Sequence, residues 1–507
     1  MNQILRYYIP ETFSDAKVEE IIACCKRMAC DEVLLFTTSY DLEPSFVPLS
    51  DIRRYTDKLI HWAQLFRAKG IRVSLNVMST LGHIYYPDAL EAEMGFQRRL
   101  DMEGHPSGGC ACPLDENLLI HEKAAYAIYA EVGARNLFVD DDFRFHLRGL
   151  HCFCPLHMDK IKVKMQNPEL TLPEIKERML GSELGASEFR RQIIGVMEQS
   201  LNDFAFHLEQ AVHQISPQTS IGVMASSIPN SWWGTDVPGI ARILAGPDHK
   251  PLVRPQMSNY SEILSHDFPK ALLQNPLSQE LYGDKIGIFP EVEMYPFTEY
   301  NKSAQSTFLQ IATTYLHGLD DITLNYFDFN GAALRNYESV IAMMELRKPY
   351  FASLSRLIDR NPKVTGVSIY AHRDSLLTRR NLDESSIFDP RNYDNWLPNL
   401  GFPVGFQWQS SLFLFLAGDD VLNATDAEID HMLSKGAIMD ARALECLHLR
   451  GFGERIGIAV VGDIAYDDMG LECYASKIWN PVHHSEYQTL RSYARLGDYK
   501  RLESTRA

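Results

Sequence analysis

The first part of the chain alternates between short apolar segments and longer segments in which apolar residues recur at helical spacing. This difference in period separates strands from amphipathic helices. Eight strands alternating with helices predict an α/β fold, a (β/α)8 TIM barrel, with an open doubly wound sheet as the alternative. The eight predicted strands are Leu5–Pro10, Glu32–Thr38, Ile71–Val77, Leu137–Asp140, Ser220–Ala225, Pro251–Pro255, Ile286–Glu293 and Ile322–Phe327.

A smaller α/β unit is predicted after the barrel. Apolar strands at Val364–Tyr370, Ser410–Phe415 and Gly436–Asp440 are accompanied by helices at Asp426–Lys435 and Ala441–Arg450. Crossover helices of this kind connect parallel strands. The chain is therefore predicted to divide into a barrel over 1–345, an α/β domain over 346–460 and a short C-terminal segment or reduced third domain over 461–507.

Composition narrows the class of protein. The chain has 507 residues, of which 45% are hydrophobic and 23% are charged, as in ordinary soluble globular proteins. Its net charge of −17 is spread along the chain. This disfavours nucleic acid and anionic membranes as partners, because both attract clusters of Lys and Arg. A neutral substrate such as a sugar is compatible with this charge.

The N-terminus and the cysteines indicate the cellular compartment of the protein. Residues 1–10 contain no basic segment followed by a long apolar one, so we expect no signal peptide. No apolar run reaches the ~18 residues of a membrane span. The nine cysteines are an odd number and include the adjacent Cys24 and Cys25. We therefore expect a cytoplasmic protein with few or no disulfides.

Three adjacent acidic residues follow the fourth predicted strand. Asp140, Asp141 and Asp142 repel one another, so each needs a partner or a raised pKa. Strand alternation predicts that Asp140 and Asp142 share a face, and Arg144 can pair with one of the three. A raised pKa is what a general acid needs near neutral pH. The alternatives are a solvated acidic loop or a divalent-cation site.

A second acidic pair lies at the end of the seventh predicted strand. Glu291 and Glu293 are two residues apart, so a strand places them on one face. A barrel brings the C-terminal ends of strands four and seven to the same mouth. Two carboxyl groups facing each other across a pocket are the arrangement that cleaves glycosidic bonds. The alternative is a pair of acids balanced by nearby Lys or Arg.

A group of soft ligands predicts a metal site. Three thiolates and an imidazole form a closed tetrahedral shell for zinc, which is structural rather than catalytic. Free cytoplasmic thiols are the alternative, and Cys110 and His151 compete with two of the proposed ligands. The predicted ligands are Cys112, Cys152, Cys154 and His157.

Aromatic, amide and acidic residues follow the other predicted strands. Aromatic rings stack on the apolar faces of sugars, and amides and acids bind hydroxyl groups. Together these residues favour a carbohydrate pocket, although each alone is more often a packing residue. The predicted substrate-binding residues are Tyr40, His83, Trp232, Trp233, Asn259, Tyr260, Tyr295, Asn325 and Asp328.

The two acidic segments resemble those of glycoside hydrolase family 42, a family of retaining (β/α)8 barrels. Asp140-Asp141-Asp142-Phe143 falls on the family's Asp-Asn-Glu-aromatic stretch, and Glu293-Met294-Tyr295-Pro296 matches its Glu-x-x-Pro segment. The resemblance implies that Asp142 is the acid/base and that Glu293, rather than Glu291, is the nucleophile. Asp141 then takes the position of the Asn, and Asp140 and Arg144 support the site. Asp in place of Glu shortens the acid by one methylene.

Two further segments resemble the same family. Cys112-Pro113 and Cys152-Phe153-Cys154-Pro155-Leu156-His157 are similar to its zinc site, with His in the last place. Residues 433–441 resemble its amidotransferase-like trimerisation domain. The resemblance implies structural zinc, no organic cofactor and a homotrimer.

The activity that the resemblance implies is that of a retaining exo-β-glycosidase acting on a terminal β-galactoside or a related β-glycoside by double displacement. The chain is also similar to sister families such as family 164, so a β-mannosidase is an alternative. A catalytically inactive carbohydrate-binding barrel is another alternative, and a divalent-metal hydrolase built on the three aspartates is a third.

Overall fold

The structure is a computed structural model. It divides into two compact units, Met1–Met179 with Glu188–Pro362 and Leu180–Ser187 with Lys363–Ala507. The residues that it describes are 2–37, 46–83, 94–145, 152–181, 186–225, 234–257, 260–262, 268–294, 300–328, 333–359, 362, 366–378, 397, 401–464 and 499–504.

The first unit contains a barrel of parallel strands. Its sheet runs β10-β11-β1-β2-β3-β6-β7-β8-β9, and a parallel bridge between Gln256, just after β8, and Glu291 in β10 closes the ring. β9 and β10 are two halves of one strand, so the ring has eight strand positions. β4 and β5 form a separate antiparallel hairpin. The strands are β1 (Asn2–Tyr7), β2 (Glu32–Phe36), β3 (Arg72–Val77), β4 (Arg98–Leu100), β5 (Pro106–Ala111), β6 (Asn136–Val139), β7 (Ser220–Ala225), β8 (Leu252–Pro255), β9 (Gly287–Ile288), β10 (Glu291–Glu293) and β11 (Asp321–Asn325).

Helices connect the strands of the first unit. α3 begins after Asp115, whose carboxylate accepts hydrogen bonds from the backbone N–H groups of Asn117 and Leu118. No helix among the described residues is long and apolar enough to span a membrane. The helices are α1 (Asp15–Met28), α2 (Leu49–Ala68), α3 (Glu116–Ala130), α4 (Pro155–Lys164), α5 (Leu172–Leu180), α6 (Ala186–Ile215), α7 (Val237–Ala245), α8 (Phe268–Tyr282), α9 (Ala304–Leu316) and α10 (Glu338–Leu357), with a 3₁₀ turn at Leu334–Tyr337.

The predicted TIM-barrel fold is confirmed, and each of the eight predicted strands overlaps an observed strand position. The seventh is interrupted at Phe289 and Pro290, because proline has no N–H for the strand ladder. The first unit extends through α10 to Pro362, so the predicted boundary at 345 lies inside a helix.

An apolar layer fills the lower part of the barrel. It contains one buried side chain from each of five strand positions, namely Ile4, Leu34, Phe138, Leu252 and Phe289. Gly222 in β7 leaves room for this layer, since a Cβ there would lie 2.6 Å from the Phe138 ring. Side chains two residues further along these strands face the same interior, nearer the C-terminal mouth.

The second unit has its own parallel sheet, in the order β13-β12-β14-β15, and a separate antiparallel pair, β16-β17. Its core is formed by buried side chains that include Leu414, Leu416, Ile429 and Leu447. Its elements are β12 (Val367–Ile369), α11 (Ser375–Thr378), β13 (Val404–Gly405), β14 (Phe413–Leu416), a 3₁₀ turn (Asp420–Asn423), α12 (Asp426–Leu433), β15 (Gly436–Met439), α13 (Ala441–Leu449), α14 (Gly453–Ile456), β16 (Ile458–Ile464) and β17 (Tyr499–Ser504).

Candidate active site

A layer of charged side chains lies above the apolar layer of the barrel. Arg6 Nη1 in β1 lies 2.7 Å from Glu291 Oε2 and 2.5 Å from Glu293 Oε2. Arg254 in β8 pairs with Glu291 Oε2 at 2.5 Å and with Asp140 Oδ1 at 3.2 Å. The contact of one guanidinium with both glutamates agrees with the prediction that Glu291 and Glu293 share a face.

Neutral polar groups complete this charged layer. Asn76 in β3 donates from Nδ2 to Asp140 Oδ2 at 2.6 Å and accepts from Arg254 Nη2 at 2.6 Å. The Tyr260 hydroxyl donates to Glu291 Oε1 at 2.8 Å, and Asn325 Nδ2 lies 3.4 Å from Glu293 Oε2. These bonds fix the orientation of the buried carboxylates, because a buried charge is stable only when it is paired and hydrogen-bonded.

Burial shifts the protonation of two of these acids. Burial, reinforced by the neighbouring Glu291 carboxylate, raises the pKa of Glu293 to about 8, although Arg6 opposes the shift. Burial also raises the pKa of Asp140 above its usual value, and Arg254 opposes that shift. The mouth of the barrel thus contains carboxyl groups that hold protons more tightly than carboxyl groups in water do.

The three aspartates after β6 separate in space. The strand ends at Val139 and a turn follows, in which the Phe143 N–H donates to the Asp140 carbonyl at 3.2 Å. Asp140 therefore faces the charged layer, whereas Asp142 points to the loop that follows β3. The prediction that Asp140 and Asp142 share a face is wrong, because strand alternation stops at Val139.

Asp141 is the most accessible of the three aspartates. Its Oδ2 lies 2.9 Å from Arg144 Nη2, which is the predicted ion pair of Arg144 with one of the acids. Its Oδ1 lies 3.8 Å from Nδ1 of His83. Burial alone would raise the pKa of Asp141, but Arg144 and His83 hold it below its usual value. Asp141 therefore stays ionised near neutral pH.

The Asp142 carboxylate binds backbone N–H groups. Its Oδ2 accepts hydrogen bonds from the N–H groups of Thr80, Leu81 and Gly82 at 2.6, 2.7 and 2.8 Å. The residue is only 3% exposed. Oδ2 is engaged by three donors and Oδ1 is buried, so neither oxygen is exposed to deliver a proton to a leaving group. The acid/base role of Asp142 stays a prediction, and this geometry favours an anchoring role instead.

The structure describes only some of the predicted substrate-binding residues. His83, Tyr260 and Asn325 contact the acids as described above, and Asp328 accepts a hydrogen bond from the Tyr337 hydroxyl at 2.7 Å. Five predicted residues lie outside the described part of the chain: Tyr40, Trp232, Trp233, Asn259 and Tyr295.

Arg6, Arg254 and Asn76 are site residues that the sequence analysis missed. Each is a polar residue within an otherwise apolar strand, as in Ile4-Leu5-Arg6-Tyr7 and Leu252-Val253-Arg254-Pro255. Burying an unpaired arginine is costly. An arginine in a buried strand therefore signals a nearby carboxylate, and this signal was available in the sequence.

The predicted metal ligands come together in a buried cluster. The ligand atoms of Cys112, Cys152, Cys154 and His157 all lie within 4.8 Å of one another. Cys112 Sγ is 3.5 Å from Cys154 Sγ and 3.1 Å from His157 Nδ1. A tetrahedral zinc shell has ligand–ligand edges of about 3.5–3.8 Å, so the donor set fits a metal ion. His157 Nε2 lies 3.1 Å from Ser200 Oγ, which orients the ring.

The cluster is connected to the mouth of the barrel through the β4–β5 hairpin. The Cys112 N–H donates to the Gln97 carbonyl at 2.8 Å, and the Phe153 N–H donates to the Leu100 carbonyl at 2.8 Å. The Ala111 N–H in turn donates to the Leu81 carbonyl at 2.8 Å. The same loop thus contacts the hairpin on one side and Asp142 on the other.

No protein-family model matches the sequence, and no curated protein is similar enough in sequence to be a relative. Solved structures share the architecture. The β-galactosidase from the psychrophilic Marinomonas ef1 has a TM-score of 0.60 at 10% identity, over 92% of this chain and 80% of that one. A catalytic mutant of a GH42 β-galactosidase from G. stearothermophilus has a TM-score of 0.57 at 12% identity, over 92% of this chain and 76% of that one.

The α-L-fucosidase isoenzyme 2 from Paenibacillus thiaminolyticus has a TM-score of 0.60 at 11% identity, over 91% of this chain and 67% of that one. At such low identity the likeness concerns the fold and not the chemistry of the site. The fold of this chain is the TIM-barrel fold of the GH42 β-galactosidases.

Proposed function

We propose that this chain is a retaining exo-β-glycosidase in which Glu293 is the nucleophile. The observation that supports this most directly is the pair Glu291 and Glu293 at the end of the seventh strand position, held by Arg6 inside the barrel. The three aspartates follow the fourth strand position, and both segments lie at the carboxyl ends of their strands. Active sites of TIM barrels form at that end.

The proposed nucleophile is held in place by its neighbours. Arg6 and Asn325 bind Glu293 Oε2, and attack on the anomeric carbon requires the ionised carboxylate. Arg6 stabilises that form, and Glu291 is already paired with Arg254. Glu293 is 7% exposed, whereas Glu291 is 1% exposed and is held by both arginines, so accessibility favours Glu293 over Glu291 as the attacking group. Burial raises the pKa of Glu293 to about 8, so its ionised, attacking form increases as the pH rises towards 8.

The substrate we propose is a terminal β-galactoside or a related β-glycoside. Several solved structures of this fold carry the name β-galactosidase, and one is named an α-L-fucosidase. A panel of 4-nitrophenyl galactosides, mannosides and fucosides of both anomers identifies the sugar. Detection of the first-formed anomer by NMR tests retention.

Glu293→Gln tests the function itself. We expect the variant to lose at least about 1,000-fold in kcat on the preferred aryl glycoside, because the amide cannot form the glycosyl ester. Its melting temperature should not fall below that of the native chain. Glu291→Gln serves as the comparison. Full activity in Glu293→Gln, or loss only in Glu291→Gln, would contradict the assignment.

We also propose that the cluster of three cysteines and one histidine holds zinc. The ion would be bound in a closed shell by Cys112, Cys152, Cys154 and His157. It would crosslink the surrounding loops and supply no reaction chemistry.

We propose that the chain forms a homotrimer, on the basis of the family resemblance of residues 433–441. Light scattering should then give a mass three times the 57.8 kDa of the chain.

A further inference from the structure

We infer that Lys302 is a positioning residue of the proposed glycosidase, whose side-chain nitrogen holds the backbone carbonyl of Glu293 and thereby sets the direction of the Glu293 carboxylate. The inference rests on the proposed function, in which Glu293 is the nucleophile. Lys302 lies just before α9, outside both acidic segments. It acts through the backbone of Glu293 rather than on the sugar.

Lys302 is a buried lysine with two uncharged hydrogen-bond acceptors. The residue is only 3% exposed. Its Nζ donates to the Glu293 carbonyl oxygen at 3.3 Å and also to Oε1 of Gln310 in α9. Because both acceptors are uncharged, neither offsets in full the cost of burying an ammonium group. The two bonds therefore fix position rather than neutralise charge.

The peptide group after Glu293 is held at both of its polar atoms. The register of β10 with β11 ends at the pair Glu293 and Asn325. Lys302 binds the carbonyl oxygen of this peptide, and the Met294 N–H of the same peptide donates to the Asn325 carbonyl at 3.2 Å. Because a peptide group is planar, these two bonds fix its orientation and the backbone of Glu293 next to it. The carboxylate then leaves Cα in one direction.

The residues around Lys302 hold it in turn. Gln310 Nε2 donates to the carbonyl of Met257, two residues beyond β8, at 2.9 Å. Asn301, directly before Lys302, donates from Nδ2 to the Tyr260 carbonyl at 2.8 Å. The start of α9 is thus tied to the segment after β8. Lys302 has a fixed position of its own, as a residue that orients another one requires.

The charges near Lys302 couple it to the proposed nucleophile. Burial lowers the pKa of Lys302 to about 7, and the Glu293 and Glu262 carboxylates oppose this shift. Glu293 in turn has Glu291 and Arg6 as its charged neighbours. Attraction between an ammonium and a carboxylate is mutual, so protonated Lys302 favours ionised Glu293. The amine and the ammonium both donate hydrogen bonds, so the contact with the carbonyl persists in either form.

Lys302→Met tests the role through kcat, KM and the pH profile. Active sites are counted by trapping with a 2-deoxy-2-fluoro derivative of the preferred aryl glycoside, so that unfolded chains do not lower the measured rate. We expect kcat per active site to fall at least about 10-fold and KM to change less than about 3-fold, because the nucleophile loses its alignment. The acidic limb of the kcat/KM profile should move to higher pH, because Glu293 loses an attractive charge.

Lys348→Met provides the matched control. Lys348 in α10 also donates from Nζ to a backbone carbonyl, that of Lys26, at 2.9 Å. Its substitution should change neither kcat nor the pH profile. Gln310→Met removes the other anchor of the Lys302 nitrogen, so it should lower kcat in the same direction as Lys302→Met and gives a second route to the test.

Two measurements test the arrangement without turnover. In urea titrations, the stability difference between Glu293→Gln and its parent chain follows the ionisation of Glu293. In a Lys302→Met background this difference should keep changing to higher pH than in the native background, because the Glu293 pKa is higher there. Hydrogen exchange at the Met294 amide should increase in Lys302→Met, because the peptide group loses one of its two bonds.

Native-like kcat per active site in both Lys302→Met and Gln310→Met, or a loss confined to KM, would overturn the inference. An unchanged pH range of Glu293 ionisation or unchanged Met294 exchange in Lys302→Met would overturn it as well. Loss of activity in Glu293→Gln together with native-like rates in Lys302→Met would retain the proposed function and reject the inference. Absence of glycosidase activity in the native chain would reject the proposed function, while the stability and exchange measurements still decide whether Lys302 holds Glu293.

Discussion

The buried charges at the mouth of the barrel form one continuous run. Asp140, Arg254, Glu291, Arg6 and Glu293 follow one another through contacts of 2.5 to 3.2 Å. Three carboxyl groups meet two guanidinium groups, so full ionisation would leave one negative charge in excess. Burial raises the pKa of Glu293, and the neighbouring Glu291 carboxylate adds to the shift, so a proton on Glu293 relieves the excess charge of the run.

Removing one arginine from this run should lower the free energy of unfolding. Arg254→Met keeps most of the side-chain volume but leaves Glu291 and Asp140 with fewer partners in a buried site. We expect a loss of roughly 3–5 kcal/mol in the free energy of unfolding, measured by urea denaturation. Arg27→Met, at an exposed arginine that pairs with Glu338 and Glu345, should change the free energy of unfolding far less. Similar small losses in both variants would show that the charged run is not tightly coupled.

Glu293 should also give stability a pH dependence of defined sign. Its pKa is raised from 4.5 to about 8 in the folded chain. Between these values the folded state retains a proton that the unfolded chain releases, so this group lowers the free energy of unfolding as pH rises. Glu293→Gln removes the effect. The variant should therefore gain stability relative to the native chain from about pH 5 to pH 8, in urea titrations. A difference that is constant with pH would contradict the shift.

At the level of elements, the interrupted seventh strand position determines which side chains reach the mouth. Phe289 lies in the apolar layer, and Glu291 and Glu293 follow it at alternate positions. Pro290 lies between the two halves and still accepts a hydrogen bond from the Thr323 N–H at 2.9 Å. The strand thereby keeps its register with β11 while its ladder is locally broken.

β7 lies so close to the apolar layer that added side-chain volume at Gly222 should destabilise the barrel. A methyl group at Gly222 would lie 2.6 Å from the Phe138 ring and 2.9 Å from Leu252 Cβ. We expect Gly222→Ala to cost about 1–3 kcal/mol in the free energy of unfolding. Phe138→Leu in the same chain should recover part of the loss.

Gly195 in α6 provides the control for this experiment. Nothing lies within 4 Å of a Cβ built at that position. Gly195→Ala should therefore stabilise the chain slightly, by up to about 1 kcal/mol, because alanine is the better helix former. Equal effects of the two substitutions, measured by urea denaturation, would show that the barrel accommodates the extra methyl group without strain.

At the scale of the whole molecule, the cluster of three cysteines and one histidine joins segments that are distant in the sequence. Cys112 follows the β4–β5 hairpin, while Cys154 and His157 lie at the start of α4. Hydrogen bonds from this hairpin reach the loop that Asp142 holds. A metal ion at the cluster would thus stiffen the support of the mouth without touching it.

Removal of the metal should reveal this support. We expect mass spectrometry of the purified chain to find one zinc per chain, and chelation to lower the melting temperature. Cys112→Ser should lose the zinc. Cys30→Ser, at a buried cysteine outside the cluster, should keep it. A chain that contains no zinc when purified from zinc-supplemented medium would contradict the proposal.

The sequence by itself determined the features that depend on local period and spacing. Alternating segments fixed the eight strand positions, because the apolar pattern of a strand is a local property. Spacing by two residues placed Glu291 and Glu293 on one face. The pairing of Arg144 with one aspartate also followed from proximity along the chain.

Tertiary structure alone decided which charges meet. Arg6, Asn76 and Arg254 are far apart in the chain, and only closure of the barrel brings them to the acids after β6 and in β10. Asp142 also depends on tertiary structure, because the turn after Val139 directs it to N–H groups from another loop. Through-space distance determines the partner of a buried charge, and sequence separation carries little information about that distance.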